Sequence, residues 1–221
     1  MLHGYRGVVQ TDGYAGYDFL DLEQAIIHAG CWAHSRRKFH DVLKAMGQKN
    51  SINGKPSNAQ TALNYIGKIY AIEKNADQAQ LTPEQRVIKR VEETLPLLHE
   101  FKEWLLDLQE KTPPRGLLGA AVSYTLNQWE RLIQFIHHGE VTPDNNWAEN
   151  SIRPLVLGRK NWLFCDTPAG AKASAAIYSL IETAKANNLE PFAYLKHLFE
   201  QLPYAHNSEQ LTRLLPQFCQ L

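Results

Sequence analysis

A chain of 221 residues, 44% hydrophobic and 10% aromatic, carries enough apolar material for one large globular core or two small ones. Lys+Arg and Asp+Glu each number 23, so no net field draws the whole chain onto nucleic acid. Any such binding must come from local clusters such as Arg36-Arg37-Lys38, or Arg159-Lys160 with Arg153 nearby. Three scattered cysteines exclude a disulfide framework and suggest a reducing compartment. No run of about 18 apolar residues exists to span a membrane, and Met1 to Gly7 lacks the apolar stretch of a signal peptide. The expectation is a cytoplasmic protein with no membrane partner.

Tyr5 to Asp12 reads as a short strand ending on an aspartate, and Gly13-Tyr14-Ala15-Gly16-Tyr17 then breaks it, with a turn of helix before Leu20. Ala25 to Trp32 is a second apolar run of strand length, followed by a helix from Ala33 to Leu43. Strand, short helix, strand, helix is an α/β pattern whose strands run parallel. Side chains at the carboxyl ends of such strands line the ligand crevice, and Asp12 stands at one such end. Taken alone, Asp12-Gly13 reads first as a plain turn.

Residues 47–57 form a polar loop of turn formers, after which the alternation stops. Asn58 to Asn75 carries Ala62, Tyr65, Ile66, Ile69 and Tyr70 at helical spacing. Thr82-Pro83-Glu84-Gln85 is a capping box. It opens an amphipathic stretch with Val87, Val91, Leu95, Leu98, Phe101, Leu105 and Leu108 inward, kinked by Pro96 near Thr94. Leu117 to His138 is a further helix with Gly139 as its C-terminal stop. Residues 45–140 thus make an all-helical block.

Asp144 to Pro154 is a short helix, capped by Asp144 or Thr142, with Pro143 in its first turn and Pro154 limiting its far end. Asn145, Glu149 and Arg153 share one stripe, beside an apolar stripe of Ala148, Ile152 and Leu155. A carboxylate one turn before an arginine is also what a surface ion pair looks like. Asn161 to Cys165 is a short apolar run. The remainder, residues 166–221, is helical: Thr167-Pro168 to Asn187, Glu190-Pro191 to Phe199, and Ser208 to Leu215.

No Gly-rich phosphate loop, GxSxG, HExxH or paired CxxC is present. Cys31 and His34 have the spacing of half a zinc site, but zinc needs four ligands and no matching pair follows, so zinc is not expected. Carboxylates converging from different elements are what Mg²⁺ asks for, with positions left to water and phosphate. Two such metals stabilise the attacking and leaving oxygens of a phosphodiester displacement, while nearby Arg and Lys hold DNA phosphates. Asp12 and Glu149 form such a site if the fold brings them together.

Four ordered blocks, Gln10 to Tyr17, Cys31-Trp32-Ala33-His34 to Phe39, Asp144 to Pro154, and Gly158-Arg159-Lys160-Asn161 to Phe164, resemble the core of the insertion sequence 66 transposases. Ala175 to Lys185 is similar to that family's C-terminal segment. The resemblance implies a DDE transposase: Mg²⁺-dependent DNA strand cleavage and transfer on a ribonuclease H-like core. It implies that Asp12 and Glu149 are the second and third catalytic, metal-holding carboxylates. Arg153 and Lys160 would touch DNA, with Arg36, Arg37 and Arg159 as further phosphate contacts, and Cys31 and His34 match the CxxH signature. The fold expected is therefore α/β and mostly helical, a partial ribonuclease H-like core of two parallel strands plus helices with a large all-helical insertion. Its segments are core residues 1–44, insertion 45–140, the glutamate helix 141–165 and a C-terminal helical segment 166–221. The family's first aspartate lies on an earlier strand, so a truncated transposase, inactive alone, is expected. The expected partners are DNA at transposon ends and either a full-length transposase or a second copy; the alternative is a non-catalytic DNA-binding or transposase-interacting remnant.

Overall fold

The computed structural model describes residues 4–47, 51–52, 55–162 and 165–219, with the backbone alone for 51–52 and 159–162. The chain divides into two compact units, Met1–Asn146 and Trp147–Leu221.

In the first unit, β1 (Gly7–Gln10) and β2 (Ile26–Ala29) pair in parallel, Gly7 opposite Ile26 and Gln10 opposite Ala29. Val8, Val9, Ile26 and Ile27 supply the β-branched residues that favour a pleated surface. A parallel pair needs a crossover, and the 3₁₀ turn Ala15–Leu22 provides it. From β2 the chain enters α1 (Trp32–Ala45), whose Trp32, Phe39, Val42 and Leu43 are buried. The 47–57 stretch is not purely a loop: Ser51–Ile52 (β3) and Lys55–Pro56 (β4) form a two-residue antiparallel pairing.

Three helical stretches close the core around α1. They are α2 (Asn58–Gln78), capped by the Ser57 hydroxyl; α3 (Pro83–Lys89) running into α4 (Leu95–Glu110); and α5 (Leu117–Asn127) with α6 (Trp129–Leu132). Trp32, Phe39, Ile66, Ile69, Leu98, Phe101, Leu105, Val122, Trp129 and Leu132 all meet in one cluster. Each such side chain taken from water contributes about 1.5–3 kcal/mol. Tyr65 stacks on Phe101 with ring centroids 4.8 Å apart, and Trp129 meets Trp32 edge to face.

Two expectations for this block need correction. Val91 does not face inward: it is 43% exposed, while Arg90 is buried at 1%. Between α3 and α4 the backbone forms a π turn, Arg90–Thr94, and the extra residue rotates the inward face by one position. The π turn lies just ahead of Pro96, which has no N–H to donate and would crowd the preceding turn of a regular helix. Arg90 then reaches Glu73 with two nitrogens, at 2.8 and 2.6 Å, and donates to the carbonyls of Phe135, His138 and Val141. Leu117 to His138 is likewise not one helix but α5, α6 and a 3₁₀ turn, Gln134–His137. Gly139 is required by close approach, since a Cβ there would stand 2.0 Å from the Pro83 carbonyl oxygen.

The second unit consists of most of α7 (Asn146–Trp162) with α8 (Pro168–Ala186), α9 (Pro191–Gln201) and α10 (Ser208–Arg213). Pro154 does not end α7; the helix continues through it. Nor is Pro143 in the first turn, because α7 starts at Asn146. The expected apolar stripe of α7 is not buried: Ala148 is exposed, Ile152 is 59% exposed and Leu155 is half-buried. Ala184, Tyr194 and Leu198 form this unit's small core, and the Tyr194 hydroxyl donates to the Leu214 carbonyl at 3.0 Å.

Candidate functional site

Asp12 follows the last residue pair of β1, where Thr11 N–H extends the sheet to the Ala29 carbonyl at 3.0 Å. The chain turns here because Asp12 Oδ1 accepts the Tyr14 N–H at 3.0 Å and Gly13 adopts φ +79°. A Cβ on Gly13 would meet the Tyr124 hydroxyl at 2.9 Å. That hydroxyl donates to the Asp12 carbonyl at 2.7 Å. Burial, with the charges of Cys31 and Asp12 nearby, pushes the Tyr124 hydroxyl up to about 12, so it remains a donor. Lys38 lies over the same ring, 4.5 Å from its centroid.

Thr11 is fixed from the opposite side. Its Oγ1 is 2.7 Å from His28 Nε2, and His28 Nδ1 is 2.7 Å from Asp21 Oδ1. Arg131 closes the chain by bonding both Asp21 and Asp18. Burial alone would push the Asp21 carboxyl up, but the hydrogen bonds from Arg131 and His28 outweigh it and hold it below its ordinary value.

The segment leading into α7 is bonded to the same strand ends. Gln10 Nε2 donates to the Gly30 carbonyl at 3.0 Å and to the Thr142 carbonyl at 2.9 Å. Trp32 N–H donates to the Pro143 carbonyl at 2.9 Å. Cys31 is buried beside the Asn145 backbone, and burial raises its thiol above the ordinary range. Asp144 caps the segment: Oδ1 accepts the Asn146 N–H at 3.0 Å and Oδ2 accepts the Tyr70 hydroxyl at 2.7 Å.

Next to these bonds lies a cleft of about 530 Å³, with Arg36, Arg37 and His40 from α1 on one wall and Gly67 and Tyr70 from α2, with Asp144, on the other. Asp12, Cys31, His34, Arg36 and Arg37 thus belong to the first unit, with His34 half-buried and both arginines exposed. Glu149 and Arg153 stand on α7 within the second unit, Glu149 half-buried and Arg153 exposed. The side chains of Arg159 and Lys160 lie outside the described residues. Among the described residues no three or more His, Cys, Asp or Glu gather as a metal cluster. The Asp12 carboxylate is nevertheless a hard oxygen donor, with one of its oxygens engaged among the described residues, by a backbone N–H, so its chemistry fits a divalent cation.

The sequence marks Asp144 as a helix cap but announces no site role for Gln10, Tyr70 or Tyr124. Tyr70 belongs to the inward stripe of α2, and no local pattern announces its bond to Asp144, 74 residues away.

Comparison with known proteins gives these positions a context. The family model described as "Transposase IS66 family" matches residues 1–173, and "IS66 C-terminal element" matches residues 179–217. Two uncharacterized proteins of Sinorhizobium fredii, y4jD and y4hP, are each 31% identical to the chain, over 98% and 97% of its length. These alignments cover 42% and 40% of those relatives, so the chain spans about two fifths of their length. No solved structure matches it significantly. By the extent of these matches, the chain belongs to the IS66 transposase family.

Proposed function

We propose that this chain carries part of the catalytic core of a DNA transposase, built on a ribonuclease H-like arrangement in which β1 and β2 are two of the core strands. The observation that carries the reading is the convergence on one sheet end: Asp12 follows β1, and Thr142 to Asn145, the segment that opens into the Glu149 helix, is bonded to the same strand ends. Asp12 and Glu149 would hold a divalent metal, Mg²⁺ in our reading. When bound, it would supply charge neutralisation at the phosphodiester and polarise the attacking oxygen. The protein's own part is positional. Tyr124 and the Thr11–His28–Asp21 chain hold the backbone on both sides of Asp12, which limits how far its carboxylate has to move to serve. Arg36, Arg37 and Arg153, with Arg159 and Lys160, would hold DNA phosphates.

The 221-residue polypeptide binds DNA through these basic side chains. The test is DNA affinity as a function of salt, together with nicking of a supercoiled plasmid in Mg²⁺. Expected is a steep loss of affinity with salt, the log–log slope falling by about one for each of Arg36→Gln and Arg37→Gln. Mg²⁺-dependent nicking that survives Glu149→Gln would overturn the role given to Glu149. A flat salt response would overturn the DNA reading.

A second reading, a remnant that associates with another transposase chain or with itself, is favoured by the second unit, where Trp147, Phe192 and Tyr204 are each more than 70% exposed. Sedimentation of the polypeptide alone and with a full-length relative separates the two readings.

A further inference from the structure

We propose that the cleft between α1 and α2 receives a single unpaired nucleotide of a DNA strand, a reading that rests on DNA being this chain's substrate. Its volume of about 530 Å³ falls in the roughly 300–1,000 Å³ range of small-molecule sites. A duplex is too broad to enter between two helices; a nucleotide turned out of a strand is not.

The two walls differ in chemistry. On α1, the exposed guanidiniums of Arg36 and Arg37 stand beside His40. Among the described residues neither arginine is in an ion pair, whereas Arg86, Arg90 and Arg131 each hold a carboxylate. That wall is suited to a phosphate. Opposite it, each oxygen of Asp144 already accepts one bond, from Tyr70 or from the Asn146 N–H, and each retains a lone pair for a further donor. A base with an exocyclic amino group supplies that donor, as cytosine N4 does to carboxylates in DNA recognition. Thymine offers one N–H flanked by two carbonyls and fits poorly. Burial and Asp144 together keep the Tyr70 hydroxyl protonated, so it stays a donor to the carboxylate.

Gly67 supplies an independent observation. It lies inside α2, where glycine costs about 1 kcal/mol relative to alanine. Its backbone has no positive φ, and a Cβ there would meet nothing within 4 Å. Neither packing nor conformation requires this glycine, and its lack of a side chain leaves that stretch of the α2 wall open.

The test uses three fluorescein-labelled duplexes: fully paired, carrying one extra cytosine, and carrying one extra thymine. The expected result is binding to the cytosine-bulged duplex at least about fivefold tighter than to the other two, matching the lower end of a good base contact. Gly67→Leu should keep or raise the melting temperature and abolish that preference, and Asp144→Asn should bring the cytosine-to-thymine ratio close to one. Equal wild-type binding to all three duplexes overturns the proposal, as does a preference that survives Gly67→Leu. Equal binding refutes the cleft alone; absence of binding to every duplex refutes the DNA reading beneath it.

Discussion

The side-chain amide of Gln10 donates to the main-chain carbonyl of Thr142 at 2.9 Å, joining the end of the first strand to a residue 132 positions later. The same amide also holds the Gly30 carbonyl at the end of the second strand. One side chain therefore ties both strands to the segment that opens into the glutamate helix. Removing it leaves two carbonyls without this partner. Gln10→Ala should cost about 1–2 kcal/mol in urea unfolding. It should also accelerate amide exchange at Trp32, whose N–H bonds the adjoining Pro143 carbonyl.

The Glu73–Arg90 pair is the strongest electrostatic commitment in the helical block, because both side chains are buried and doubly bonded. Arg90→Met takes both short hydrogen bonds from a buried carboxylate, leaving it the longer ion pair with Arg86 at 3.9 Å, and should destabilise by about 3 kcal/mol. The double variant Glu73→Met/Arg90→Met removes both charges and should recover part of that loss. If thermal melts rank the double variant below the single one, the pair's desolvation cost has been overestimated.

Gly139→Ala places a methyl group where the Pro83 carbonyl oxygen stands 2.0 Å away. Neither is a flexible side-chain tip, so the backbone must move, at about 1–3 kcal/mol. Circular dichroism melts of this variant should show a lower midpoint with unchanged helix content.

Asp21 gives the first unit an acid-sensitive element. Its carboxyl, facing His28, Arg131 and through Arg131 also Asp18, is held below its ordinary value. Such a group contributes stability that is complete above the unfolded-state value near pH 4 and is lost as pH falls through the lower folded value. Asp21→Asn should therefore lower the urea midpoint at pH 7, and the two proteins should converge as the pH falls below the ordinary carboxylate range.

The thiols should separate cleanly. Cys165 is exposed, while Cys31 is buried and its thiol is pushed up by burial. A disulfide reagent should modify Cys165 within the first kinetic phase and reach Cys31 only at the rate of local opening. Mass spectrometry of quenched samples distinguishes the sites.

Local grammar was enough to place Asp12 at a strand end, the parallel pairing, the capping box at Thr82 and the helix opening at Pro168, because each rests on neighbours in sequence. What periodicity could not reveal were the features decided by distant partners. Val91 has the right spacing for the core, yet Arg90 takes that place because Glu73 and three carbonyls wait for it. Pro154 marks a helix end by its chemistry, yet α7 tolerates it. At the site, the carboxylates and arginines were visible as residue types. Tyr70, Tyr124 and Gln10 were not, since their roles exist only through contacts across the fold.

The π turn at Arg90–Thr94 acts as a phase shifter between two helices that would otherwise be one rod. Its extra residue lets α3 and α4 present faces that are out of step by one position, with a guanidinium on one side of the seam and Leu98, Phe101 and Leu105 on the other. Chain length at this one place thus decides what kind of core is built. A chain one residue shorter there would draw Val91 inward and expel Arg90, leaving Glu73 facing an apolar neighbour. Single-residue deletions in this turn should therefore be far less tolerated than substitutions at its exposed positions, Glu92 and Glu93.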